Sequence, residues 1–388
     1  MRVIFVNIFL TIALVAILNL TSNILLVLYP VVVSHLSQSK SPSENQSDDW
    51  HVDLPNYAEN KDRARIYYQE KAIKKSQFEP YVGWKSNVQH GQAINIDDNG
   101  FRIHLNHSGH GQSNQSVYFF GGSTMWGWGV WDDETIPALF NSLTGIPTYN
   151  MGEEGFVSRQ GLERFINLLV QGAQIDTAIF YDFVNDVSMG CRVELKPGDY
   201  GRGAAVGEKA KPPSRGVNTV WQFLDYIFLS GIKELIDRIH HKISAVRVET
   251  NEENMDETLI CDNSEERAKQ VAMTLVKNWE IAHDLASARK IKFYAILHPS
   301  AHIGSPKVDH LKKYLNSPLQ KELAKQQKAV YAVIQTIIKE RQHKWILDYS
   351  EAFSRDEYIF IGAVHTSANG NQIIAERLYK DIMKDLSQ

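Results

Sequence analysis

Residues 117–129 read Val-Tyr-Phe-Phe-Gly-Gly-Ser-Thr-Met-Trp-Gly-Trp-Gly. The apolar run Val117–Phe120 stops abruptly at Gly121, Gly122, Ser123 and Thr124. A short β-branched and aromatic run of this kind predicts a buried strand, and the glycines predict a tight turn at its carboxyl end. In open α/β sheets ligands bind at that edge. A serine on such a turn presents a hydroxyl suited to nucleophilic attack and an N–H suited to holding an oxyanion. Alone, Gly-Gly-Ser is equally a plain glycine turn.

Working outward, apolar strand-like runs alternate with amphipathic ones. Strands are expected at Val117–Phe120, Pro147–Asn150, Thr177–Phe183, Lys290–Leu297 and Trp345–Leu347. Helices are expected at Thr135–Leu143, Arg159–Gln171, Ser264–Arg289, Leu319–Arg341 and Asn369–Leu386. In the second of these helices, Leu162, Phe165, Ile166 and Leu169 share one face at helical spacing. Strands separated by helices imply a parallel, doubly wound sheet. Upstream, Lys61–Ser76 is charged and helix-compatible, while Tyr81–Arg102 reads as strands and turns. Asp97, Asp98 and Asn99 read as a turn, because no regular oxygen-ligand spacing follows them.

Further blocks follow the serine: Asn150-Met-Gly-Glu-Glu-Gly155-Phe-Val-Ser158, then Tyr181-Asp-Phe-Val-Asn185-Asp186, then Gly362-Ala-Val-His365. In this order they resemble the SGNH (GDSL-like) hydrolase family, over about residue 117 to the C-terminus. Pro80–Trp84 and Ile94–Arg102 resemble the lead-in of its membrane-anchored bacterial subgroup. The resemblance implies a three-layer α/β/α sandwich with a central parallel sheet, of SGNH or flavodoxin-like type. It also implies an ester hydrolase with Ser123 as nucleophile and His365 as its base. Oxyanion donors would be the N–H of Ser123, the N–H of Gly155 (Gly152 being the alternative) and the side-chain amide of Asn185. Asn150 would tie neighbouring loops together.

This chain departs from the family pattern at two positions. Phe183 stands where the family has glycine two residues before the asparagine, and Gly362 stands where it has the aspartate three residues before the histidine. An aspartate there orients the imidazole and stabilises its cation. Candidates to replace it are a backbone carbonyl, a water, Asp348, Asp356 or Glu357. Without any of these the site is a Ser-His dyad or a binding site. Trp126, Trp128 and Trp131 suit either core packing or stacking on sugars. Asp132, Asp133, Glu153 and Glu154 read as a negative rim or as helix-start charges. His298, before Pro299 at the end of the fourth strand, reads as structural or as approaching the site.

The chain has 388 residues, 43% hydrophobic and 22% charged, enough for a large packed core. A net charge of −4 gives no nucleic-acid footprint. Its two cysteines, Cys191 and Cys261, would pair in an oxidising compartment. Neither lies in a metal-ligand spacing, so neither metal nor organic cofactor is expected. Residues 1–36 run almost without charge after Arg2 and exceed the ~20 residues that a membrane span needs. They are read as an uncleaved transmembrane signal anchor, placing the rest outside the cytoplasm at the inner membrane. Residues 37–60 are read as a flexible linker and 61–388 as the hydrolase domain, with a helical insertion at about 192–262. Within the insertion, Trp221–Ile243 is amphipathic. The expected function is an extracytoplasmic serine esterase acting on, or transferring, O-acyl esters, with an acylated surface glycan as the candidate partner. The alternatives are a lipase or thioesterase, an acetyltransferase, and a glycan-binding assembly protein.

Overall fold

A computed structural model describes residues 50–104, 115–197 and 258–386, with a few isolated positions between 2 and 21. The chain divides into two units, Met1–Ser47 with Lys211–Asp256 and Asp48–Ala210 with Glu257–Gln388. Nearly all of the first lies outside the described residues. So do most of the apolar stretch read as an anchor, residues 37–49 of the linker, and the amphipathic segment at 221–243. Among the described residues no helix is long and apolar enough to cross a membrane.

The linker boundary needs correction. Residues 50–60 pack on the second unit, with 3₁₀ turns at Trp50–Asp53 and Pro55–Tyr57. Val52 and Leu54 are buried. Polar composition hid a short segment that docks through these two aliphatic side chains and a cluster of rings. Helix α1 (Lys61–Ile73) follows. Strands β1 (Ser76–Glu79) and β2 (Gly83–Ser86) then form an antiparallel hairpin, and β3 (Gln89–His90) pairs with β4 (Asn95–Ile96). Asp97 closes the expected turn: its carboxylate accepts from the N–H groups of Asn99 and Phe101 at 3.0 and 2.8 Å.

The core is a five-stranded parallel sheet of β5 (Val117–Gly121), β6 (Thr148–Asn150), β7 (Thr177–Asp182), β8 (Lys292–Leu297) and β9 (Ile346–Asp348). Its spatial order is β6-β5-β7-β8-β9. The chain therefore steps outward from β5 in one direction and then reverses. The switch point lies at the carboxyl ends of β5 and β7, where a doubly wound sheet opens a crevice.

The connections are α2 (Ser123–Trp126), α3 (Ile136–Thr144), α4 (Ser158–Val170), α5 (Val184–Gly190), α6 (Glu265–Ala288), α7 (Lys312–Leu315), α8 (Pro318–Arg341) and the closing helix α9 (Ala368–Leu386). Because strand side chains alternate, each central strand feeds two cores. Phe120, Phe180, Phe293 and Leu297 join Phe165, Trp279 and Ile334 on one face. Phe119, Ile179, Tyr181 and Ile296 join Phe140, Ile374 and Leu378 on the other. This is the expected three-layer α/β/α arrangement. Cys191 and Cys261 are disulfide-bonded. The bond ties the C-terminal end of α5 to the segment before α6.

Candidate active site

Ser123 is the first residue of α2, directly after β5, and its Oγ lies 2.8 Å from Nε2 of His365. The two residues are 242 positions apart in sequence. The histidine reaches the serine because the loop before α9 folds back onto the sheet edge, with Ile361 donating its N–H to the carbonyl of His365 at 2.9 Å. As the first residue of a helix, Ser123 has no intrahelical acceptor for its N–H.

Asn185 follows β7 across the switch point. Its Nδ2 donates to the carbonyl of Phe156 at 2.8 Å. That nitrogen also lies against the backbone of the nucleophile turn: a Cβ added to Gly122 would meet it at 2.5 Å. Only glycine allows this approach. Gly155, immediately before Phe156, has φ +75° and is partly exposed. Gly152 is buried, and its N–H donates to Oδ1 of Asn150 at 3.0 Å, so it is not available as an oxyanion donor. Asn150 ties the loops as expected, donating from Nδ2 to the carbonyls of Met125 and Trp126 at 3.1 and 3.3 Å.

Asp186, beside Asn185, accepts from the N–H and Oγ of Ser158 at 2.9 and 2.5 Å. It therefore joins the asparagine loop to the start of α4. Burial pushes its carboxyl up to about 6. Asp182, bonded to Nε1 of Trp279 at 2.9 Å, is pushed well above the carboxylate range by burial and by Asp186. His298, at the end of β8, is also held neutral. Burial lowers it to about 4, its Nδ1 faces the carbonyl of Pro299 at 2.8 Å, and its Nε2 accepts the N–H of Val184 at 3.3 Å. It thus braces the backbone next to Asn185. Phe183 turns its ring into the core, edge-on to His298 and Tyr331 at 5.9 and 6.0 Å. Ser123, Phe156, Phe183, Asn185 and His298 line a cavity of about 10 Å³, room for roughly one water molecule.

None of the carboxylates named as replacements for the missing aspartate reaches His365. Asp348 bonds Ser350, Asp356 pairs with Lys307, and Glu357 pairs with Arg355 and accepts from Asn369. Gly362 does occupy the family position: a Cβ built there would lie 4.0 Å from Nδ1 of His365 and touch nothing else within that distance. The imidazole is lowered to about 3, mainly by burial, with smaller contributions from His51, His298 and Lys71. Part of its surface remains open to solvent. It is a neutral base at physiological pH, with no described carboxylate to stabilise the cation.

The other acidic residues do not form a rim. Asp132 is buried against Arg102 at 2.7 Å, and that guanidinium also donates to the carbonyls of Ala93, Gly127 and Val130. Glu153 is buried and accepts from Lys74 and from the N–H and Oγ of Ser86. Asp133 pairs with Arg63, and Glu154 with Lys71 and Lys74. These ion pairs fasten α1 and the β1–β2 hairpin to the loops behind the serine. Among the tryptophans, Trp126 is core, lying 4.4 Å from the guanidinium of Arg102. Trp131 packs on Arg63 at 4.0 Å and donates Nε1 to its carbonyl. Trp128 stacks on the imidazole of His365, with centroids 4.4 Å apart and planes at 23°. Sequence reasoning missed that stacking and the Arg102–Asp132 pair. The flanking glycines in Gly-Trp-Gly were the available signal for the first, and nothing local marks the second.

No family model and no curated protein matches the chain. Solved structures similar to it include a member of the lipolytic protein G-D-S-L family from Veillonella parvula, at 12% identity over 69% of this chain and 97% of that one, TM-score 0.36. A carbohydrate acetylesterase from Sinorhizobium meliloti is 10% identical over 70% of this chain and 99% of that one, TM-score 0.36. An acetyl-xylooligosaccharide esterase from a Geobacillus is 13% identical over 70% and 94%, TM-score 0.34. These likenesses assign neither activity nor substrate; the fold rests on the strand order given above.

Proposed function

We propose that the protein is a serine esterase of SGNH type that uses a Ser-His dyad and acts on small acyl esters. The observation that carries this is the 2.8 Å contact between Ser123 Oγ and His365 Nε2 at the switch point of the sheet. As Ser123 Oγ attacks the ester carbonyl, its proton moves to Nε2. The oxygen that gains charge is received by the N–H of Ser123, the amide of Asn185 and the N–H of Gly155. Collapse expels the alcohol, which takes the proton from Nε2 and leaves an acyl-Ser123. Water then repeats the sequence and releases the acid. An acceptor hydroxyl in place of water would make the same site an acyltransferase.

The cavity beside Ser123, with room for roughly one water molecule, favours short acyl groups over long ones. The disulfide supports an oxidising compartment, and with the apolar N-terminal stretch it supports an anchored, extracytoplasmic location. A surface glycan is the substrate that fits that location. Gly362 favours a second reading, in which the site binds an acylated glycan without turning it over. Hydrolysis of aryl acetate, butyrate and octanoate by wild type and Ser123→Ala decides between them. The account expects turnover that falls with acyl length and vanishes in the variant. Equal background rates from both folded proteins would support binding alone.

A further inference from the structure

We propose that Trp128 is a positioning residue that performs part of the task of the absent triad carboxylate. It holds the plane of the His365 imidazole and stabilises its cation through the face of the indole. The proposal rests on the Ser123–His365 reading. One hydrogen bond at Nε2 fixes one atom of a ring and leaves its tilt free. A ring stacked at 4.4 Å and 23° fixes the plane as well. The charge argument points the same way. The titratable groups that act on His365 are His51 from the 50–53 turn, Lys71 from α1 and His298 after β8; none is a carboxylate, and each lowers the imidazole. Against these, an aromatic face attracts a cation, most strongly where water is largely excluded.

The chain is built to present this ring. Trp128 donates its N–H to the carbonyl of Ser123 at 3.0 Å, so nucleophile and platform share one turn. Gly127 and Gly129 on either side have φ of +94° and +90°, a region that costs other residues strain. A Cβ on Gly129 would strike Ile361 at 2.0 Å. The carbonyl of Gly129 accepts from the hydroxyl of Tyr57 at 2.7 Å. His51 and Tyr68 meet the indole edge-on at 4.9 and 5.6 Å and fix its position.

The test uses the full chain carrying Trp128→Leu or Trp128→Phe, each alone and combined with Gly362→Asp, with an aryl acetate as substrate. Trp128→Leu should lower kcat by roughly 5- to 30-fold with little change in KM. Trp128→Phe, which keeps an aromatic face, should retain most of kcat. Gly362→Asp should raise kcat by a larger factor in Trp128→Leu than in the wild-type background, because the carboxylate then takes over a task that Trp128 no longer performs. A folded Trp128→Leu with unchanged kcat overturns the proposal. So does a loss that Trp128→Phe shares together with a Gly362→Asp gain of the same factor in both backgrounds, which marks Trp128 as packing alone. Wild type no faster than Ser123→Ala overturns the esterase reading itself, and the proposal with it.

Discussion

Gly362→Asp in the wild-type background asks what the missing carboxylate costs. The Cβ position at 362 lies 4.0 Å from Nδ1 of His365 and is otherwise unobstructed. Two further bonds, Cβ–Cγ and Cγ–Oδ, therefore bring a carboxylate oxygen within hydrogen-bond reach of that nitrogen. A unit charge pair about 4 Å apart at an effective dielectric near 20 is worth about 4 kcal/mol before desolvation. Removing the new carboxylate from water consumes part of this. A net gain of roughly 1–3 kcal/mol is expected, or about 5- to 150-fold in kcat/KM. The sign of the pH effect follows from the same interaction. In wild type the imidazole is lowered to about 3, so it stays a competent base well below the usual histidine range. An adjacent carboxylate favours the cation and raises that value. The acid limb of kcat/KM should therefore move to higher pH by about one to two units while the plateau rises. The assay is kcat/KM for an aryl acetate from acid to mildly alkaline pH, with Gly362→Asn as the uncharged control. A folded Gly362→Asp that neither gains rate nor shifts its acid limb would refute the assignment of His365 as the base facing position 362.

Three further outcomes are expected. Asn185→Ala should lower kcat about 10²- to 10³-fold with a small change in KM, measured by steady-state kinetics, because in the proposed mechanism its amide receives the developing charge. Arg102→Met should destabilise the fold by about 3–5 kcal/mol in denaturant melts, since it leaves Asp132 buried without its ion-pair partner and frees several carbonyls behind the nucleophile. Replacing Cys191 and Cys261 by serine should remove up to about 4 kcal/mol of stability by the chain-entropy relation, as the bridge closes 70 residues. Comparing melts with and without reductant checks this, and wild type alone should respond to reductant.

The sheet was legible because its strands are local. Strands Thr177–Asp182 and Lys292–Leu297 are built on the continuous runs Ala178–Tyr181 and Phe293–Leu297, as strands buried on both faces must be, and the expected bounds differ from the observed ones by one or two residues. Ser123, Asn185 and His365 were legible because each follows or precedes an element that the pattern already places. The linker boundary was not, since Val52, Leu54 and the rings of Trp50, His51 and Tyr57 anchor that segment without forming a periodic pattern. The charge network was hidden for another reason. Asp132 and Glu153 look like exposed acids in sequence, and only their distant partners Arg102, Lys74 and Ser86 explain their burial. Phe183 stands where the resembling family has glycine. Its ring does line the cavity, but its body packs into the core against His298 and Tyr331, contacts no local pattern encodes.

The measurement that tests the central claim most directly is intact-mass and peptide analysis of the protein quenched during turnover of an aryl acetate. The account predicts an acetyl group on Ser123 in wild type, accumulating further in Asn185→Ala only if deacylation is the slower step, and absent from Ser123→Ala. An acetyl group on another residue, or turnover that survives Ser123→Ala, would contradict it.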